Sequence, residues 1–216
     1  MSADGKIASP DGKVQHFSSR RDNGQLYELR ATVDAVMNGA RTVDTGPIKM
    51  DTGLEKYRQR RIRTGLKEHA LRIIVTGSGS LDPNAEVFRH RFSPIIILTS
   101  LQCPRRKLRQ LEKLADDVII STSRTIDFAK ALEQLRQSWN VKRLLCEGGG
   151  GLNDAMFRAD LVDEVRLTVC PLIIGGTKAP TICDGSGFEK LADARQFELA
   201  KRKQVGEEMF LTYRRI

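Results

Sequence analysis

The spacing of apolar and polar positions changes several times along the chain, and the changes outline its elements. Apolar runs at 71–76 and 94–99 read as strands covered on both faces. Shorter stretches at 34–38, 118–121 and 143–146 read as further strands, 87–89 as a minor one, and 165–174 as a long β-branched one. Between them the period turns helical. The segment 20–32 follows Ser18 and Ser19, both suited to cap a helix, and carries Asp22 in its first turn. The segment 105–115 is helical, as is 125–139, with Thr125 as its cap and Phe128, Leu132, Leu135 and Trp139 on one face. A short helix follows at 152–158. Residues 39–43 turn back toward the sheet, and 45–65 read as a polar loop with room for a short helix. The segments 196–202 and 209–214 form a hairpin around Val205 and Gly206. Strands alternating with helices, closed by a hairpin, predict a single α/β domain over 1–216. Its mostly parallel central sheet is flanked by helices and carries a C-terminal antiparallel hairpin at its edge.

Composition narrows the class. The chain has 216 residues, enough for one sizeable core, with 40% hydrophobic and 29% charged positions. No apolar run approaches a membrane span, and the first residues lack the apolar core of a signal peptide. The cysteines Cys103, Cys146, Cys170 and Cys183 are widely spaced without a CxxC pair, which reads as reduced thiols and a cytoplasmic location. The net charge of +9 is concentrated at 56–63 and 105–109. The plain reading is a solvated basic face; the sharper one is an anionic partner. No nucleic-acid motif supports a polynucleotide, so a phosphorylated small molecule is the better expectation.

Candidate chemistry is sparse in side chains and rich in backbone. His16, His69 and His90 have no partner at metal-ligand spacing, and no zinc, triad or P-loop pattern is present, so no metal and no catalytic side chain is assigned. Strand ends instead meet turns at Gly39–Thr42, Thr76–Ser80, Thr99–Ser100 and Gly148–Gly151. At the last of these, Glu147 and four consecutive glycines precede a helix. Glycines allow close backbone approach, and a helix start offers free N–H groups, so the arrangement suits a dinucleotide pyrophosphate. Each signal alone is equally compatible with a tight turn. Glu147 reads as a crevice-facing acid or as an exposed one, Arg30 as a surface charge, and Asp4 as a turn residue.

Read in order, several motifs resemble one family. They are Ser2-Ala3-Asp4-Gly5-Lys6-Ile7-Ala8, then Leu29-Arg30-Ala31, then Asp34-Ala35-Val36-Met37-Asn38-Gly39-Ala40-Arg41-Thr42-Val43. The second half adds the Glu147 glycine run, Leu161 to Glu164, Pro171 to Gly176, Ala179-Pro180-Thr181 and Phe188-Glu189-Lys190-Leu191. Together they resemble the pyrimidine reductases of riboflavin biosynthesis, the C-terminal half of the bacterial bifunctional deaminase-reductase, with a dihydrofolate-reductase-like fold. The resemblance implies NADPH-dependent reduction of the ribosylamino group of a phosphorylated diaminopyrimidine to ribitylamino, in a cytoplasmic homodimer. It implies cofactor contacts at His16, Thr42, Thr76, Ser78, Gly148, Gly149, Gly150, Gly151 and Leu152, and substrate contacts at Arg30 and Glu147.

The chain departs from the family at three places. After Val43 the family reads D-x-P-x-L-T-x-R, whereas this chain has Asp44-Thr45-Gly46-Pro47-Ile48-Lys49-Met50, leaving Lys49, Arg58, Arg60 or Arg61 to take the substrate phosphate. Val14 stands where the family often has a substrate-binding serine. The strand that precedes S-x-D-G in the family, with its lysine, is missing or truncated, which predicts an empty position in the central sheet. These departures keep two alternatives open: an NADPH-dependent reductase acting on another imine or pterin-like ring, and a non-catalytic nucleotide- or nucleic-acid-binding protein.

Overall fold

A computed structural model describes residues 1–11 and 17–216. The chain divides into two compact units, one of Gly24–Gly148 and one of Met1–Asn23 with Gly149–Ile216.

Helix α1 (Arg20–Arg30) precedes an alternating series: β1 (Ala35–Gly39), α2 (Ala40–Thr45), α3 (Glu55–Arg63), β2 (Leu71–Val75), α4 (Glu86–Arg89), β3 (Ile95–Thr99), α5 (Arg105–Leu114), β4 (Asp117–Ile120), α6 (Phe128–Trp139) and β5 (Leu144–Cys146). The five strands form one parallel sheet in the order β4-β3-β2-β1-β5. Strand β1 is hydrogen-bonded to β2 on one side and β5 on the other, so no position within the described sheet is vacant. Every residue of β3 is buried, as are the first four of β1 and β2, which is why these strands read as apolar runs without alternation. Val36, Ile74, Ile95 and Ile97 join Val33, Val43 and Leu111 in one core.

The charged exception is Arg72, fully buried in β2. Its guanidinium donates to the carbonyls of Val87 and Ser93 and stacks 4.2 Å from the Phe92 ring. Tying down the Val87 carbonyl fixes the short segment expected to be a strand at 87–89, which is helix α4. Three residues were too few to set a period there. Helix α6 starts later than the Thr125 cap predicted, because Asp127 accepts from the Lys130 amide and is the actual N-cap. Asn140 ends it in a left-handed conformation. Of the segment 39–43, expected to turn, Gly39 ends β1 and the rest belongs to α2.

The other unit contains α7 (Gly150–Arg158), β6 (Glu164–Val169), β7 (Phe197–Val205) and β8 (Glu208–Arg215). The strands form a separate antiparallel sheet, β6-β8-β7, so the hairpin does not extend the parallel sheet as the sequence suggested. Strand β6 stops at Val169, short of the expected 174, because the N-terminal segment takes over the backbone bonds beyond it. Cys170 donates its amide to Met1, Ala3 donates to Leu172, and the Asp4 carboxylate accepts from the amides of Ile174 and Gly175 at 3.2 and 2.7 Å. Lys6 bridges to Thr181, and its ammonium reaches the Ala179 carbonyl. The Ser-Ala-Asp-Gly turn and the Pro-Leu-Ile-Ile-Gly-Gly loop are therefore two sides of one clamp.

The Ser2 hydroxyl, 2.6 Å from Asp4, together with the loop amides lowers the Asp4 pKa from 3.8 to about 2. A carboxyl whose folded pKa is depressed stabilises the fold above its unfolded pKa and loses that contribution as the pH falls. The stability difference between the wild type and Asp4→Asn is therefore expected to be constant above pH 3.8 and to close as the pH approaches about 2. Denaturant melts across this range would measure it; a difference that persists unchanged to the lower limit would contradict the clamp.

Candidate active site

All five parallel strands end on the same edge of the sheet, so the turns that follow them collect there. Pairing of β1 with β5 sets Met37 beside Cys146 and continues one residue further, with the Glu147 amide donating to the Met37 carbonyl at 2.9 Å. The Gly39 amide then donates to the Gly148 carbonyl. Gly148 has φ +81°, a left-handed conformation that a side chain would disfavour, so the chain turns sharply after Glu147.

That ladder fixes Glu147, whose carboxylate is held by Arg30 from the end of α1. Arg30 Nε and Nη2 donate to the two carboxylate oxygens at 2.6 and 2.7 Å, a bidentate pair with side chains only 9% and 11% exposed. Arg30 Nη1 donates to the Asp51 carbonyl at 2.7 Å, and the buried Asn38 amide donates to Glu147 Oε2 at 3.0 Å. Burial works against the Arg30 charge, but Glu147, with Asp51 and Tyr27, outweighs it and raises its pKa above the ordinary arginine value. Tyr27 lies under the guanidinium at 5.7 Å from ring centre to Cζ and stacks on Tyr57. Arg30 is thus no surface charge. Asn38 and the Asp51 carbonyl were not anticipated; the one polar side chain at the end of an apolar strand was the available signal for Asn38.

The hydroxyls singled out at the strand ends face inward. Thr76 Oγ1 donates to the Ser80 carbonyl, Thr99 Oγ1 to Thr76, and Ser100 Oγ to Gly77 and Arg124. Their hydrogens shape the turns and are not available to a phosphate. Ser78 is exposed, and Lys107 reaches Ser80 Oγ at 2.7 Å. Thr42 is half-buried on α2. Of the basic residues considered for a substrate phosphate, Arg61 is buried with its donors on backbone carbonyls. Arg58 pairs with Glu55 and Glu68, and Lys49 lies 3.8 Å from Glu86. Arg60 is exposed. His16 and Val14 lie outside the described residues.

Residues Gly149 to Leu152 belong to the other unit. Gly149 is the N-cap of α7 and makes no side-chain cap bond, and the helix begins at Gly150, two residues before the predicted start. Gly150 is glycine for a local reason. A Cβ there would stand 2.7 Å from both Asp184 Oδ2 and the Thr181 carbonyl. The loop is braced by Thr181, whose amide and hydroxyl donate to Asp184, and by the buried Asp154, which accepts from Arg158 and the Gly187 amide. Gly151 is exposed, and its Cβ would make only ordinary contact at 3.7 Å.

The RibD C-terminal domain model matches residues 1–211. The chain belongs to that family. It is 32% identical over 213 residues to a 2,5-diamino-6-ribosylamino-4(3H)-pyrimidinone 5′-phosphate reductase of Methanothermobacter thermautotrophicus, covering 99% of this chain and 94% of the relative. An Archaeoglobus fulgidus protein of the same name is 29% identical over the same shares. A pyrimidine reductase-like protein of Corynebacterium diphtheriae has the same fold, with a TM-score of 0.79 at 20% identity over 100% of this chain and 89% of that one. Acinetobacter baumannii RibD matches with a TM-score of 0.76 at 22% identity, and this family member spans 56% of it. No helix among the described residues is long and apolar enough to cross a membrane.

Packing under Gly150 makes a prediction that separates the two central glycines. Gly150→Ala should destabilise the protein by about 1–3 kcal/mol through overpacking, whereas Gly151→Ala should change stability by less than about 0.5 kcal/mol. Thermal or urea unfolding of both variants would check this; equal effects would mean that the 181–184 loop does not set the requirement.

Proposed function

We propose that this protein reduces the ribosylamino group of 2,5-diamino-6-ribosylamino-4(3H)-pyrimidinone 5′-phosphate to ribitylamino, with NADPH as the reductant. The single observation that carries the reading is the buried Arg30–Glu147 pair at the C-terminal edge of the parallel sheet. Its bonds among the described residues use three of the five guanidinium N–H groups and three carboxylate lone pairs. Two donors, on Nη1 and Nη2, and one acceptor, on Glu147 Oε1, remain. A 4(3H)-pyrimidinone offers the complementary groups, a ring N–H and a carbonyl. Glu147 would accept from the N–H, Arg30 would donate to the carbonyl, and Asn38 and Asp51 would keep both groups in plane. Support also comes from the diaminopyrimidinone reductases, which this chain matches along 94% of their length.

The turns suit a dinucleotide in their donors more than in their hydroxyls. In this proposal Thr42, Thr76, Ser78 and Gly148 line the cofactor, and the first amides of α7, at Gly149, Gly150, Gly151 and Leu152, are suited to an anionic group. Gly150 contributes there as an amide, since its missing Cβ already accommodates Thr181 and Asp184. Ser78, on the turn after β2, and Lys107, which reaches that turn from α5, are the polar and cationic groups that favour the additional phosphate of NADPH. A bound reduced nicotinamide would supply a hydride equivalent to the substrate imine carbon. The task of this chain's residues is to hold the pyrimidine rigidly, with the proton for the imine nitrogen drawn from solvent.

Single-turnover oxidation of NADPH by the purified protein and this pyrimidine tests the proposal, with the product expected to gain two hydrogens by mass. A folded protein that binds NADPH but leaves the pyrimidine unchanged would contradict it. So would equal or better turnover with NADH, as far as the choice of cofactor is concerned. Glu147→Gln keeps the shape but loses the charge, and is expected to lower kcat/KM about tenfold or more while NADPH affinity stays within about twofold.

A further inference from the structure

Arg30 is held twice, by its side chain and by its backbone. The backbone is held by a second arginine that the basic run at 56–63 conceals. Arg61, on α3, is only 1% exposed. Its Nη1 lies 2.6 Å from the carbonyl oxygens of both Arg30 and Val33, and its Nε donates to the Lys67 carbonyl at 2.7 Å. Every hydrogen bond it makes among the described residues ends on a backbone carbonyl.

A buried cation satisfied only by carbonyls is an expensive way to join two helices. Burial lowers the Arg61 pKa, and Asp34 offsets this only in part. The arrangement has a specific geometric use. Arg30 is the last residue of α1, so its carbonyl is among those that the helix leaves without an intrahelical partner, where the helix dipole is negative. A planar fork can hold that carbonyl and the ones at Val33 and Lys67 together; a lysine ammonium, as a point donor, cannot match the three in one plane. Arg61 is therefore a C-terminal cap for α1, delivered from α3 to the very residue whose side chain grips Glu147.

We propose that Arg61 is a positioning residue for the substrate site: by fixing the Arg30 backbone it sets the reach and plane of the Arg30 fork, without touching substrate. This rests on the reading of Arg30 and Glu147 as the pyrimidine contacts. Small displacements of such a clamp carry large kinetic costs, about a hundredfold for an ångström.

Arg61→Lys and Arg61→Met test it, with circular dichroism and thermal melts confirming the fold. The pyrimidine KM is expected to rise about tenfold in the Met variant, with kcat within about threefold and NADPH affinity within about twofold, and the Lys variant should recover part of the loss. In an Arg30→Lys background the further loss from either change should be under about twofold, because the fork it positions is already gone. If the Met variant does not fold, the Lys variant carries both comparisons. An unchanged KM in folded Arg61 variants, or an undiminished loss in the Arg30→Lys background, overturns the inference. Glu147→Gln and Arg30→Lys in the same assay separate the two levels. If they raise KM and the Arg61 variants do not, only the role of Arg61 fails. If they leave KM unchanged, the substrate reading fails and the role of Arg61 fails with it.

Discussion

The bidentate contact between Arg30 and Glu147 is the constraint around which the candidate site is organised. Two side chains that are about nine-tenths buried hold opposite charges at 2.6 and 2.7 Å. Such a pair tolerates burial where further hydrogen bonds support it, since an isolated buried charge is strongly unfavourable. The fold meets one further group on each side chain and fixes where the carboxylate stands. The β1–β5 ladder sets the height of Glu147, Asn38 approaches from the neighbouring strand, and the Asp51 carbonyl closes on Arg30. The parallel sheet is thus more than a scaffold, because its register decides where the carboxylate stands.

The same economy appears at the turns. Hydroxyls of Thr76, Thr99 and Ser100 hold backbone carbonyls and keep successive strand ends in a fixed relation. In the other unit, Asp4 draws the Gly175 loop onto the N-terminal turn, and Asp154 braces the segment that lies against Gly150. Several residues that would be read as ligand-facing from their type are therefore builders of loop shape. Among the described residues of these turns, Ser78 is exposed.

Much of this was legible in the pattern of the chain. Continuous apolar strands, helices with one apolar face and glycine turns at strand ends were enough for the parallel sheet and for the importance of the Glu147 turn. The failures have physical causes. The segment at 87–89 looked extended because its helix is enforced by the distant Arg72. The 170–174 stretch looked like strand because its bonding partner is the N-terminal turn, far away in sequence. Arg30 and Arg61 looked like surface charges because nothing in local spacing tells a solvated arginine from one whose partners are 117 or 31 residues away. What local spacing did not show at Gly150 is that the chain's own 181–184 loop also lies against it.

The most direct measurement of the central claim is calorimetric binding of the ribitylamino pyrimidinone phosphate product and of its N3-methyl derivative. Methylation removes the ring N–H proposed to meet Glu147 and leaves the phosphate and ribityl chain intact. The account predicts that the methyl derivative binds about tenfold more weakly or worse to the wild type, and that this difference largely disappears in Glu147→Gln. Equal affinity of the two compounds for the wild type would contradict recognition of the pyrimidine by the Arg30–Glu147 pair.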